Sequence, residues 1–419
     1  MRLRAPAIVL LALLGAVAAC RSGPPAGTTR VVLRYQPLGP DAGPLRQLVA
    51  EFERANPGVS VELQAFPNAT DLAHQLLVTS LGAGAQDLDA FVLDVVWVAE
   101  FARAGWLADL SDVAPPERVR AEFLDGPAEA VIQGGRTRAL PWFVDVGLLY
   151  YRTDLVAEPP RTYEALEAAA RAAMARAPGL AGYVWQGREY EGLSCNFFEA
   201  VWGRGGSAYA DGRFRLDTPE ARAALAWLRG LVDGGISPRS VAVAAEEDAR
   251  RAFQEGRAAF MRNWPYAWPL LEDPASRVRG RVGVAPLPSA SGAPGPGALG
   301  GWQLGVAARA PPARRAAATR LVVHLTSPEA NLVLARAYGR NPARRASYRD
   351  PRLAAANPFV ARLFPLLERA RPRPVTPYYV MIGDALQGEL SAAVSGLRTP
   401  AEALRRAQAQ ADEIAGAAP

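Results

Sequence analysis

The chain has 419 residues, half of them hydrophobic, with 47 basic against 41 acidic side chains and a formal net charge of +6. Every basic residue is arginine, which excludes a P-loop lysine, a Schiff-base lysine and Ser-x-x-Lys acyl transfer. The histidines, His74 and His324, lie in different segments and the cysteines are Cys20 and Cys195, so no clustered His/Cys metal site is expected, and no cofactor. The arginines are scattered singly or in pairs, as on solvated helix faces rather than a nucleic-acid stripe.

Residues 1–19 carry Arg2 and Arg4, then the apolar run AIVLLALLGAVAA (7–19), too short to span a bilayer and ending in small residues before Cys20. This is the layout of a secretory signal, and VAAC (17–20) resembles a lipobox, in which the cysteine is acylated and becomes the new first residue. The sequence thus predicts a lipoprotein signal peptide over 1–19 and a Gly/Pro-rich lipid-anchored tether over 20–29. With Cys20 acylated, Cys195 has no disulfide partner and reads as a small buried apolar side chain.

The rest of the chain is too long for one ordinary core and predicts two domains. RVVLRYQPL (30–38) has strand character, and 44–55 predicts a helix with Leu45, Leu48, Val49 and Phe52 on one face. VSVELQAF (59–66) alternates as a strand, 71–84 reads as a helix, and DAFVLDVVW (89–97) begins as a buried strand. That alternation is the signature of an α/β domain with a largely parallel sheet. RALPWFVDVGLLYYR (138–152) continues as one extended apolar segment, and 162–177 is helical. RVGVAPLP (281–288) and GWQLGVAA (301–308) read as strands on either side of a Gly/Pro/Ser loop, with helices to the end. The G-x-G-x-x-G at Gly295, Gly297 and Gly300 lies in that loop without a preceding strand, and carries no dinucleotide reading.

Several segments taken in order resemble the extracytoplasmic solute-binding proteins of ATP-binding-cassette (ABC) sugar importers, in particular the trehalose/maltose-binding branch. They are EFERANPGVSVEL (51–63), DAFVLDVVWVAEFARAGWLADL (89–110), ALPWFVDVGLLYYRTDL (139–155), GYVWQGREYEGLSC (182–195), RNWPYAW (262–268), GRVGVAPLP (280–288), LGGWQLG (299–305) and RPRPVTPYY (371–379). The resemblance implies an α/β, two-lobe periplasmic-binding-protein fold (type II-like). Each lobe would be a mainly parallel sheet flanked by helices, joined by crossover hinge segments and closing over a disaccharide of trehalose/maltose type. It places the first lobe at 30–143 with 303–350 and the second at 144–302 with 351–419, hinged near 143–146, 300–302 and 349–353. It further implies no enzymatic activity, a monomer, ABC permease subunits as partners, and an exported, membrane-anchored location facing the periplasm or cell exterior.

A sugar offers hydroxyls and flat C–H faces, so its site needs bidentate polar groups and aromatic rings. Asp94 ends a buried strand, where it either faces the ligand crevice or caps the next helix. Asp145 is an acid inside an apolar segment and needs partners to offset its desolvation. Trp264, Tyr266 and Trp302 stand beside prolines and glycines, and Arg373 is held extended between Pro372 and Pro374. By resemblance, Asp94, Asp145, Phe143, Trp264, Tyr266, Gly301, Trp302 and Arg373 hold the sugar. Asp41, Thr70 and Glu191 are further candidates, and His74 stands where relatives carry a basic residue. Phe143 stands where relatives can carry tyrosine, which removes one hydroxyl contact. Two other classes stay open on the residues: a glycoside hydrolase using Asp94 and Asp145 as acid and base, and a surface lipoprotein that only contacts proteins.

Overall fold

The computed structural model describes residues 27–39, 41–67 and 70–417; Cys20, the signal segment 1–19 and the tether up to residue 26 lie outside the described residues. Among the described residues no helix is long and apolar enough to cross a membrane.

The strands that build the two sheets are, in chain order, β1 (Thr29–Tyr35), β2 (Val59–Ala65), β3 (Ala90–Asp94), β4 (Ala139–Val146), β5 (Leu148–Arg152), β6 (Ala181–Val184), β7 (Ala258–Asn263), β8 (Val282–Ala285), β9 (Leu299–Val306) and β10 (Asn341–Pro342). Strands β10-β4-β9-β3-β1-β2 form one six-stranded sheet, and β8-β5-β7-β6 a second of four. Each sheet is the centre of a lobe, which is the expected two-lobe α/β architecture. The pairing is more mixed than expected: β1–β2, β1–β3 and β6–β7 are parallel, while β9 and β10 run antiparallel to their neighbours, as does β5. Strands that return from the other lobe are not tied to the right-handed helical crossover that a parallel neighbour requires.

The helix Gly43–Ala55 shows why the first sheet is covered. Pro44 opens its first turn, where a missing N–H is harmless. Leu45, Leu48, Val49 and Phe52 then recur on one face and are buried. The helix Pro312–Leu325 packs on β1 and on that first helix, burying Leu321, Val322 and Leu325.

The segment 138–152 is two strands in two sheets, with the break at Gly147. Val146 and Leu299 pair inside the first sheet, so 144–146 and 299–302 belong to the first lobe rather than the second. The chain crosses at Gly147 and at 297–298, and the crossings touch: Gly147 N–H donates to the Ala298 carbonyl at 3.2 Å. A Cβ on Gly147 would fall 1.9 Å from Glu199 Oε1, so only glycine passes there. Glu199 is part of a buried bidentate pair with Arg262 and also accepts the Ala298 N–H at 2.9 Å. The third crossing lies near 371–373, where Arg371 bonds Gly297 and Leu299 through the backbone. It is not at 349–353, where Asp350 caps the short helix Pro351–Ala356, and Leu353 and Val360 pack on Ala335 of the first lobe. Cys195 is buried in the helix Glu191–Trp202, and burial pushes its thiol up to about 12.

Candidate functional site

The register of the first sheet sets the rim of the cleft. Asp94 ends β3 opposite Trp302 of β9, and Trp302 stands opposite Phe143 of β4. Asp145 pairs with Gly300. An acid, an indole and a phenyl ring thus line up across three strands, at strand ends where α/β sheets bind ligands. Trp302 is half-buried and meets Trp97 edge to face at 5.7 Å. Phe143 is buried. Gly301 adopts φ +107°, and a Cβ there would lie 2.3 Å from the Phe143 carbonyl oxygen. The β-bulge between Trp302 and Gln303 and this close backbone approach account for the glycine within the sheet itself.

The second lobe contributes the loop after β7. Trp264 donates its indole N–H to Glu246 at 3.3 Å, its carbonyl accepts the Tyr150 hydroxyl at 2.8 Å, and the Arg262 guanidinium lies 3.9 Å from its ring centre. The ring edge abuts Gly300 of the first sheet, where a Cβ would stand 3.1 Å from Cζ3. Trp264 therefore sits at the boundary of the lobes, half-buried and fixed on one face by a cation. Tyr266 donates to Glu247 at 2.8 Å. Its neighbour Trp268 is stacked on Phe359 at 4.5 Å and 7°, which commits that ring to packing.

Arg373 joins the two sides. It is 2 % exposed, donates to Glu191 at 2.6 Å and to Asp94 at 3.2 Å, and reaches the Leu299 carbonyl at 3.3 Å. Glu191 also accepts from Tyr379 and Gln387, and burial raises its carboxyl although Arg373 opposes the shift. Asp94 Oδ1 accepts from Arg373 and from Val96 N–H, which leaves Oδ2 without a protein partner among the described residues. Asp94 thus caps the turn after β3 and not the helix Val98–Arg103 that follows, and its Oδ2 stays free of protein bonds among the described residues.

Asp145 has a different setting. Its Oδ1 accepts from Asn341 at 3.2 Å, and the Arg340 guanidinium is 4.0 Å from Oδ2. Burial raises its carboxyl to about 6, with Arg340 and Asn341 opposing and Asp94 adding to the shift.

A cleft of about 150 Å³ brings Thr70, Asp94 and Glu191 together with Asp71, Tyr379 and Asp384. Burial raises the carboxyls of Asp71 and Asp384, and each carries further acids among its neighbours. His74 lines the same cleft, bonded to Glu100 at 2.8 Å and packed on Trp97. Asp41 is not brought to this group. It is exposed, its carboxylate accepts Gly43 N–H at 2.9 Å, and it lines a separate cleft with Tyr35, Leu38 and Tyr338. Sequence reasoning missed Arg340, Asn341, Asp71, Asp384 and Gln387. The signal available for the first two is the left-handed Gly339 that ends the helix Pro328–Tyr338 immediately before them. Among the described residues no group of His, Cys, Asp and Glu is arranged to hold a metal ion.

Residues 37–332 match the family model of the bacterial extracellular solute-binding protein. A probable ABC transporter-binding protein of Deinococcus radiodurans is 35% identical over 86% of this chain and 87% of its own length. The structure of T. maritima MalE3 with maltose bound superposes with a TM-score of 0.84 at 38% identity, covering 93% of this chain and 100% of that one. A Thermotoga lettingae ABC transporter solute-binding protein bound with α-D-tagatose superposes at 0.80 with 25% identity, covering 92% and 100%. With two lobes, three crossings and a polar-aromatic cleft between them, the chain belongs to the bacterial extracellular solute-binding proteins, and it is a receptor rather than an enzyme.

Proposed function

We propose that this protein is the sugar receptor of an ABC importer and captures an α-glucoside disaccharide of the maltose or trehalose type between its lobes. The observation that carries this reading is that Asp94, Trp302, Gly300 and Asp145 lie on paired strands of the first sheet, where Gly300 meets the ring edge of Trp264 from the second lobe. Stacking surfaces for sugar faces and acceptors for hydroxyls then come from opposite walls, so ligand contacts made by both lobes favour the closed form. The likeness to maltose-bound MalE3 supports the disaccharide class. Under the same reading Cys20 is acylated, the monomeric receptor is tethered outside the membrane, and permease subunits take the sugar from the closed form. The hydrolase alternative is disfavoured by the family match, whose members are solute-binding proteins.

Isothermal calorimetry against maltose, trehalose, sucrose and glucose tests the reading. Saturable binding of maltose or trehalose, at about micromolar affinity and with no glucose released, is the expected result. Failure of both disaccharides to bind would sink the α-glucoside assignment. Glucose release would sink the receptor.

A further inference from the structure

Arg340 is a largely buried cation whose hydrogen-bonding capacity the protein leaves partly unused. Its side chain is 14 % exposed, and its one hydrogen bond among the described residues runs from Nη2 to the Leu38 carbonyl at 2.8 Å. Nε is buried without a partner. Its nearest carboxylate, Asp145, is 4.0 Å from Nη1, beyond hydrogen-bonding range. The other arginines at the lobe boundary are better met: Arg373 bonds two carboxylates and a carbonyl, although its Nε too is buried without a partner, and Arg262 holds Glu199 through two bonds. A buried guanidinium with free donors is costly unless something else completes it.

The position of Arg340 says what completes it. The guanidinium lies 4.9 Å from the Phe143 ring centre, which orients its plane, and within electrostatic reach of Tyr266 from the second lobe. A Cβ on the preceding residue, Gly339, would come 3.5 Å from Pro269 of that lobe. Arg340 thus stands where the lobes meet, beside Asp145, whose side chain is 11 % exposed. A guanidinium only donates and an ionised carboxylate only accepts, whereas a hydroxyl does both.

We propose that Arg340 and Asp145 form a donor–acceptor pair that reads one hydroxyl of a neutral sugar, which donates to Asp145 and accepts from Arg340. This rests on the sugar-receptor reading above and deepens it by assigning a specificity residue. Asp145 sets the class: its charge repels anionic sugars, so uronates and sugar phosphates are disfavoured despite the arginine.

The test is a double-mutant cycle of Arg340→Gln, Asp145→Asn and the double variant, with maltose affinity read by calorimetry and the ligand-free melting temperature read in parallel. Each single variant weakens binding about tenfold or more, and the double variant is within about twofold of the worse single, because both side chains hold the same hydroxyl. An Arg340→Gln affinity within about twofold of wild type, or single losses that multiply fully, overturns the proposal. A merely structural Arg340 would lower the ligand-free melting temperature without that coupling in affinity. If wild type ignores maltose but binds trehalose, sucrose or glucose, the cycle is run with that sugar and judged by the same coupling. Silence toward the whole panel overturns the sugar reading and this proposal with it, whereas binding without coupling overturns this proposal alone.

Discussion

Two corners of the cleft are built from the same chemistry and finished differently. Asp94 and Asp145 sit on the two strands that flank β9, one opposite Trp302 and the other opposite Gly300. Asp94 is bonded to Arg373, which also holds Glu191 of the second lobe, so that corner is bridged by ion pairs across the lobes, with Asp94 Oδ2 still open. Asp145 has an amide at 3.2 Å and a guanidinium at 4.0 Å, and its carboxyl is raised to about 6. The bridged corner ties the lobes to one another. The unsaturated one keeps its capacity for what enters the cleft.

The largest effect should come from breaking the bridged corner. Arg373→Ala leaves Asp94 and Glu191 facing each other without their cation, and an uncompensated buried charge costs about 3–5 kcal/mol. Thermal unfolding of the ligand-free protein should show that loss, with sugar binding gone as well. A variant with wild-type stability would mean that the corner is held by other contacts.

Next in size is Trp264→Ala. The ring is half-buried, and the Arg262–Glu199 pair beneath it stays intact, so the fold should hold. Loss of one stacking platform should cost about 2–3 kcal/mol of binding, or roughly 30- to 150-fold in Kd by calorimetry. An unchanged Kd would place the sugar elsewhere.

The unsaturated corner has a pH signature. The folded-state pKa of Asp145 is raised from 3.8 to about 6, so between those values the folded chain holds a proton that the unfolded chain has lost. Its contribution to stability therefore falls as pH rises through that window, and the cost is fully present above about pH 6. The amount is on the order of 3 kcal/mol. Glu191, Asp71 and Asp384 are shifted in the same direction, so the comparison must be made against Asp145→Asn. The variant should gain stability relative to wild type as pH rises from 4 to 7 while its sugar affinity falls. A difference in melting temperature that stays flat across that range would remove the pH argument for an unsaturated corner.

How much of this contrast was legible in the sequence follows from how far apart the partners are in the chain. The helix Gly43–Ala55 and the strands β1 to β3 were readable because their apolar periodicity is local. The aromatic and acidic residues at 94, 143, 145, 264 and 302 stood out because rings and charges beside glycine, proline or apolar runs are locally conspicuous. The break at Gly147 was hidden, since β4 and β5 are both almost wholly buried and form one apolar run, although they serve different sheets. The role of Arg340 and Asn341 was hidden for a related reason, since Gly339 marks only the helix end before them. They meet Asp145 only through β10 pairing with β4, across nearly two hundred residues of chain, and nothing in GRNP announces that partner.

The smallest expected effect concerns Asp41, which the resemblance put in the site and the structure puts at the start of a helix. Its carboxylate accepts Gly43 N–H, and its carbonyl accepts the Tyr338 hydroxyl at 2.7 Å, in a cleft that contains neither Asp94 nor Trp264. Asp41→Ala keeps the carbonyl contact and loses only a local turn bond, so stability should drop by about 1 kcal/mol at most. Sugar affinity should stay within about twofold, since the lost bond is remote from both corners. A loss of tenfold or more would change the comparison itself. It would mean that the ligand reaches the first helix, and that the cleft beside Tyr338 and the corner of Arg340, joined through Leu38, are two ends of one longer site.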